Sequence, residues 1–283
     1  MIEVAIPFFT VVAIALAVSL TSIGVGIGES LTSIAALQAI NIQPKATTDI
    51  NKMSVLGMAL TETSAVLALV MAIMLILGSS NLSYYSDLSR LGIAFAISFS
   101  GAAIGIASSM PAKAACLATA RQPFFSNKIL NIMLLTISFI QTPIIFGFIV
   151  ALFINYQAAG CTTLGESLRL ISAGISIGLG SIGPTLGLAY FAKSAAEGLG
   201  VNRDAYDKIM TFTFLSEALI ETPVVFALVT SLLLLTTSAP STFKGLTLIA
   251  AALCVGVGNS APGISSGQTA SSACTQIAIN PGL

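Results

Sequence analysis

Long apolar runs alternate with short polar breaks along almost the whole chain. The runs fall at about 4–40, 52–78, 90–119, 129–154, 167–197, 206–236 and 244–278. The breaks are Asn41–Asn51, Ser79–Ser89, Arg121–Lys128, Asn155–Glu166, Gly198–Asp204 and Thr237–Thr242. A bilayer core needs about 20 apolar residues of helix, so each run is long enough to cross one. At 1.5 Å per residue the longest, about 35 residues, makes a helix of about 50 Å and protrudes beyond the hydrocarbon. Met1-Ile2-Glu3-Val4 carries no basic stretch, so the run after it reads as a first span rather than a cleaved signal. The pattern predicts an all-α membrane protein of about seven spans.

The spans repeat in pairs. Asn41-Ile42-Gln43-Pro44 ends one span, and Ala120-Arg121-Gln122-Pro123 ends another 79 positions later. Ile279-Asn280-Pro281 lies 158 positions further on, and the intermediate turn falls at Gly198-Leu199-Gly200-Val201-Asn202-Arg203, without its proline. The helices that follow these turns agree in register at Glu62-Thr63-Ser64, Gln141-Thr142-Pro143 and Glu221-Thr222-Pro223. A period of about 79 residues holding two spans is a tandem helical hairpin. The hairpins are 1–80, 81–160 and 161–240, and 241–283 holds the first helix and loop of a fourth, which reads as incomplete.

The first helix of each hairpin is rich in small residues: Gly24, Gly26 and Gly28, then Gly101 and Gly105, then Gly174, Gly178, Gly183 and Gly187, then Gly256, Gly258, Gly263 and Gly267. Small residues at such spacings let membrane helices approach closely, and Gly24, Gly26, Gly28, Gly105 and Gly183 are assigned to helix packing. A phosphate-binding glycine loop needs a strand before it and a helix after it, which this context lacks.

Carboxyl groups in the middle of these spans carry the chemistry. Glu62 and Glu221 interrupt apolar stretches, where a charge is costly and usually functional. In a low dielectric the neutral form of a carboxyl is favoured, so such a group can cross lipid protonated and ionise where water or a cation waits. Glu29 lies 15 positions before Pro44 and Glu62 lies 18 after it. An antiparallel hairpin therefore sets the two at similar depth, where two carboxyls would share a proton. Thr63 adds a hydroxyl oxygen, and Thr222 follows Glu221 in the same way; oxygen ligands suit hard cations, and Na⁺ would sit among Glu29, Glu62 and Thr63. Gln141 holds the carboxyl position of hairpin two and cannot ionise, so that carrier position is lost. Glu217, one turn before Glu221, reads as a helix-interface polar group. Pro143 and Pro223 should kink their helices beside the site.

Composition narrows the rest. Charged residues make up 8% of the chain, hydrophobic residues 55%, and 11 basic side chains balance 11 acidic ones. Soluble domains carry about 25% charge, and nucleic-acid binding needs a clustered basic surface. Histidine is absent and the four cysteines are scattered, which leaves no zinc-type ligand set. Lys45, Lys52, Lys113, Arg121, Lys128, Lys193, Arg203 and Lys208 lie on the Gln-Pro side, against Arg90, Arg169 and Lys244 on the other. The excess assigns the Gln-Pro loops to the cytoplasm.

These motifs together resemble the proteolipid, or c-subunit, family of F-type and V-type rotary ATPases. The likeness rests on Gly24-Val25-Gly26-Ile27-Gly28, the Gln43-Pro44 loop, Gly57-Met58-Ala59-Leu60-Thr61-Glu62 and the Arg121-Gln122-Pro123 loop. It implies that hairpins assemble into a rotor ring that moves H⁺ or Na⁺ on Glu62 and Glu221, with no catalytic residue and no cofactor of its own. It implies loops Gln43, Pro44, Arg121, Gln122 and Pro123 against a central stalk, other ring subunits alongside, a stator subunit with an essential arginine, and lipid outside. Sodium-binding members tend to carry a tyrosine where this chain has Leu67. The rival reading is a secondary transporter built from helical repeats, whose repeats usually contain more than two helices.

Overall fold

The computed structural model describes residues 7–78 and 83–282. Met1–Val4, the start of the first apolar run and the first part of the Ser79–Ser89 break lie outside them. Ten helices are present and no strand occurs among the described residues: α1 (Phe8–Ile42), α2 (Thr47–Leu77), α3 (Tyr84–Ser89), α4 (Leu91–Arg121), α5 (Ser126–Ala158), α6 (Leu164–Gly180), α7 (Ile182–Val201), α8 (Tyr206–Thr236), α9 (Thr242–Gly258) and α10 (Ser260–Ile279). They make seven spans of membrane-crossing length and apolarity, since α3 leads into α4, α6 into α7 and α9 into α10. Tyr84–Ser89, read from the sequence as part of a polar break, is thus helical; Ser83 caps it by accepting from the Ser86 amide at 3.2 Å.

Proline explains the two interruptions in the later spans. Pro184 and Pro262 lack the amide that would bond Gly180 and Gly258, and the helix breaks at Ser181 and Asn259 just before them. Pro143 and Pro223 behave differently: α5 and α8 run through them without interruption.

Each hairpin turns in the same way at its Gln-Pro end. The amides of Gln43, Gln122 and Asn202 each bond the carbonyl four residues back at 2.9 Å, and a single 3₁₀ turn leads into the next helix. In the third turn, where proline is missing, the Asn202 side chain accepts from the Asp204 amide at 3.0 Å and holds the same geometry.

The helices form two rows. The glycine-rich first helices stack in order, α1 on α4, α4 on α6 and α7, then α6 on α9 and α7 on α10. Here backbone meets backbone. A Cβ on Gly105 would stand 2.5 Å from the Gly24 carbonyl carbon, one on Gly183 would stand 2.6 Å from the Ser260 oxygen, and Gly28 abuts Gly105. Gly26 and Gly258 are the exceptions, with nothing within 4 Å of either Cβ position. The second helices α2, α5 and α8 lie over this row and present large apolar side chains outward, among them Leu69, Ile149, Phe226 and Leu233. That exposed apolar surface suits hydrocarbon.

At the end opposite the Gln-Pro turns, Asp87 and Arg90 are buried and cap helices belonging to hairpin one. Asp87 accepts from the amides of Phe9 and Thr10 at 2.9 and 2.8 Å, and from the Thr10 hydroxyl at 2.7 Å. The Arg90 guanidinium donates to Gly78 O at 2.6 Å, Leu75 O at 3.4 Å and Thr10 Oγ1 at 3.1 Å. One residue pair thereby satisfies the start of α1 and the end of α2. Arg169 makes the matching contact with Leu235 O at the end of α8.

Candidate ion-carrying sites between hairpins

The turn geometry fixes a common register. Glu62, Gln141 and Glu221 each lie 19 positions after the residue that ends the preceding first-row helix, namely Gln43, Gln122 and Asn202. The helices before and after each turn are also of similar length. The three side chains therefore sit at one depth, on α2, α5 and α8.

Glu62 is exposed at the free edge of hairpin one. It lines an open cavity of about 410 Å³ with Glu29, Val18, Ser22, Gly26 and Ala65. The Glu29 and Glu62 carboxyls lie side by side in this cavity. A hydrogen bond between two carboxyls needs a proton, since a carboxylate alone only accepts. Glu29 Oε1 is buried without a partner. Thr63 does not join this pair. Its hydroxyl donates to Leu60 O at 2.6 Å, and the side chain lines a separate groove with Leu60, Ser138 and Gln141.

That second groove is the boundary between hairpins one and two. Gln141, only 8% exposed, donates from Nε2 to Leu60 O at 3.0 Å and to Ser108 Oγ at 3.2 Å. Ser108 lies 79 positions after Glu29 and occupies its place in hairpin two. The carrier position of one hairpin thus meets the second helix of the hairpin before it. A glutamate would reach the same carbonyl only when protonated, because a carboxylate has nothing to donate. Gln141 is locked in the arrangement that a loaded carboxyl would adopt.

The boundary between hairpins two and three repeats the geometry. Glu221 is half-buried, and Thr142 of α5 stands beside its carboxyl. Thr142 is the counterpart of Thr63, 79 positions on. Thr222 lies exposed, its hydroxyl donating to Ala218 O at 3.2 Å. Thr63 and Thr142 therefore face the next hairpin's site and not their own. Sequence reasoning missed Ser108, Thr142 and the Leu60 carbonyl. The period of 79 residues, applied to Glu29 and Thr63, points to the first two. One turn before Glu221, Glu217 is fully buried and both of its carboxyl oxygens lack a hydrogen-bond partner.

No group of three or more His, Cys, Asp or Glu side chains with metal-ligand geometry occurs among the described residues. The turn residues are spread along one end of the molecule, and Phe124, beside Pro123, projects fully into the surroundings.

Comparison with known proteins adds an independent line. The family model for the ATP synthase C-subunit matches residues 12–75, 91–154 and 171–234, one match per complete hairpin. The ATP synthase c-subunit of Synechococcus sp. is 40% identical over 72 residues, which is 25% of this chain and 89% of the relative. That of Dehalococcoides mccartyi is 37% identical over 70 residues, 25% of this chain and 92% of the relative. That of Chloroflexus aurantiacus is 30% identical over 69 residues, 24% of this chain and 91% of the relative.

Proposed function

The chain belongs to the ATP synthase C-subunit family, present as three tandem copies, and from that membership we propose that it is the ion-carrying rotor subunit of a rotary ATPase. The observation that carries the reading is the recurrence of Glu62, Gln141 and Glu221 in one register, each on a second-row helix at the edge of its hairpin. First-row helices packed through glycine lie closer together than helices packed through leucine and phenylalanine. Hairpins so joined curve toward the first row, and several chains continuing the curve would close a ring.

Protons are the cargo in this reading. Glu62 and Glu221 cross the lipid neutral and ionise only beside a stator subunit, where an arginine and water stabilise the charge. The Glu29–Glu62 pairing in one cavity supports H⁺, since two carboxyls so close are best accommodated by a proton shared between them. Na⁺ is the alternative cargo, favoured by the open cavity in which both carboxyls of hairpin one meet. The Gln-Pro turns face the cytoplasm and the central stalk. Of the three basic residues at the far end, Arg90 is 3% exposed and caps α2, and Arg169 caps α8. Arg90 contributes no surface charge, so the bias toward a cytoplasmic Gln-Pro side is stronger than the bare count.

Two carriers in three hairpins favour ATP-driven pumping over synthesis. Fewer ions per turn leave more ATP free energy for each ion. The deciding experiment treats the purified complex with a hydrophobic carbodiimide at a series of pH values, at each with and without Na⁺. Labelling of Glu62 and Glu221 that acid promotes and Na⁺ leaves unchanged is expected. Protection by Na⁺, with ATP-driven ²²Na⁺ uptake insensitive to protonophore, would replace H⁺ by Na⁺. Near-normal pumping by the Glu62→Gln, Glu221→Gln double variant would overturn the carrier role itself.

A further inference from the structure

Each ionisable carrier in this chain has a second carboxyl beside it, but the two are supplied differently. In hairpin one the companion is Glu29, on the first helix and half-buried. In hairpin three the place of Glu29 is taken by Leu188, fully buried and apolar. The second carboxyl there is Glu217, on α8 itself, four residues before Glu221. In hairpin two, where Gln141 cannot ionise, the Glu29 place holds Ser108 and the Glu217 place holds Ile137. A companion carboxyl occurs in hairpins one and three, where the carrier position is ionisable, and not in hairpin two.

Glu217 is fully buried and neither carboxyl oxygen has a partner. An ionised carboxylate in that condition would cost several kcal/mol, with nothing to offset it. The titratable groups on the elements packed against α8 are Lys128 and Tyr156 on α5, Glu166 and Arg169 on α6, Tyr190, Lys193 and Glu197 on α7, the mutually paired and exposed Arg203 and Asp204 in the turn before α8, Lys244 and Cys254 on α9, and Cys274 on α10. Lys128 lies over the Tyr206 ring at the turn end, Lys193 pairs with Glu197, and Arg169 binds Leu235 O. The ionisable neighbour that acts on Glu217 is Glu221. Residues four apart on a helix have Cβ atoms about 5–6 Å apart, within reach of two glutamate side chains.

We infer that Glu217 is a resident protonated donor for the hairpin-three site, which hydrogen-bonds the Glu221 carboxylate each time Glu221 releases its ion. The inference rests on Glu221 being a carrier. In the loaded state the Glu221 oxygen that the Glu217 O–H can reach is neutral and a weaker acceptor. When Glu221 loses its proton to water at the stator, that oxygen becomes a carboxylate's and the O–H donates to it more strongly. The Glu217 O–H bond stays intact and no proton leaves Glu217, so it adds no ion to the count. It is a positioning residue that stabilises the unloaded state of its neighbour, as a charge-assisted hydrogen bond does.

The test follows carbodiimide labelling of Glu221 against pH in the complete complex, with the label assigned to Glu221 rather than Glu217 by fragmentation of the peptide in the mass spectrometer. Only the protonated carboxyl reacts. Glu217→Met places there the residue that hairpin one carries at Met58, close to glutamate in volume, and removes the donor. Labelling of Glu221 then persists to higher pH, its midpoint displaced by about one pH unit, a tenfold change in proton concentration. Glu217→Gln keeps a neutral donor and returns the midpoint to the wild-type value. A Glu217→Met midpoint equal to wild type overturns the inference and leaves the carrier reading intact. A lower ion-to-ATP ratio in Glu217→Gln overturns it too, because Glu217 would then be a carrier itself. An unreactive Glu221 in the wild-type complex overturns the carrier reading and the inference with it. A readout independent of the Met variant is the infrared band of a protonated carboxyl that Glu217→Gln removes. That band persists above the pH at which Glu221 stops reacting and moves to lower frequency there. A band that vanishes together with Glu221 reactivity overturns the inference.

Discussion

Replacing Gln141 with glutamate should convert hairpin two from a passenger into a carrier. The amide now donates to Leu60 O at 3.0 Å and to Ser108 Oγ at 3.2 Å. A protonated glutamate has one O–H and can keep only one of these bonds, a loss of about 1 kcal/mol. An ionised glutamate keeps neither and sets a carboxylate oxygen against the Leu60 carbonyl at 8% exposure. Losing both bonds costs about 2 kcal/mol, and an unpaired buried charge adds several more. Since about 1.4 kcal/mol is a factor of ten in protonation, the introduced carboxyl would stay neutral in lipid at neutral pH and ionise only at the stator. The carriers in this chain's hairpins rise from two to three, and the ion-to-ATP ratio rises by up to half. The steepest gradient that ATP can build falls to about two-thirds, because the same free energy is divided among more ions. The assay is the ion-to-ATP ratio of the purified complex in vesicles, together with carbodiimide labelling of the new carboxyl. A ratio unchanged in Gln141→Glu, although the new glutamate labels and the ring assembles, would refute the idea that hairpin two is idle.

Other consequences are more local. Glu62→Gln or Glu221→Gln should leave assembly intact and abolish most ion transport, which native mass measurement and vesicle uptake would check side by side. Gly105→Leu should destabilise the chain by about 1–3 kcal/mol or more through overpacking against Gly24 and Val25. Gly26→Leu meets no neighbour in the chain, so its fold should persist, and any loss should appear in ring assembly or in access to Glu29 and Glu62; equal unfolding midpoints for the two variants would contradict this. Asp87→Ala removes the cap of α1 and loosens the hold on Thr10 that Arg90 shares. A loss of at least about 2 kcal/mol is expected, measurable as earlier thermal unfolding in detergent.

Much of this molecule is legible along the chain. Lipid forces every span to satisfy its own backbone, so apolar length alone counts the helices. Two-helix periodicity brings Glu62, Gln141 and Glu221 to one depth, because helix rise is constant and the turns at Gln43, Gln122 and Asn202 share one geometry. The glycine rows announce close approach. The side of a helix on which a neighbour lies is a different matter. Successive residues turn by about 100°, so Glu62 and Thr63 look into different spaces, and only the placement of adjacent hairpins decides which space holds which partner. Sequence spacing groups Thr63 with Glu62; packing assigns it to the groove of Gln141. Gly26 stands in a row of packing glycines and touches nothing, because α4 passes on the side of Gly24 and Gly28. Asp87 and Arg90 look like loop charges and become buried caps, since helix ends distant in sequence converge on them. Glu217 looks like one more polar residue, and its sealed, unpartnered state arises only when α8 is pressed between its neighbours. Depth and repeat are properties of the chain in one dimension, whereas azimuth and burial come from the contacts of helices with one another, which tertiary structure alone decides.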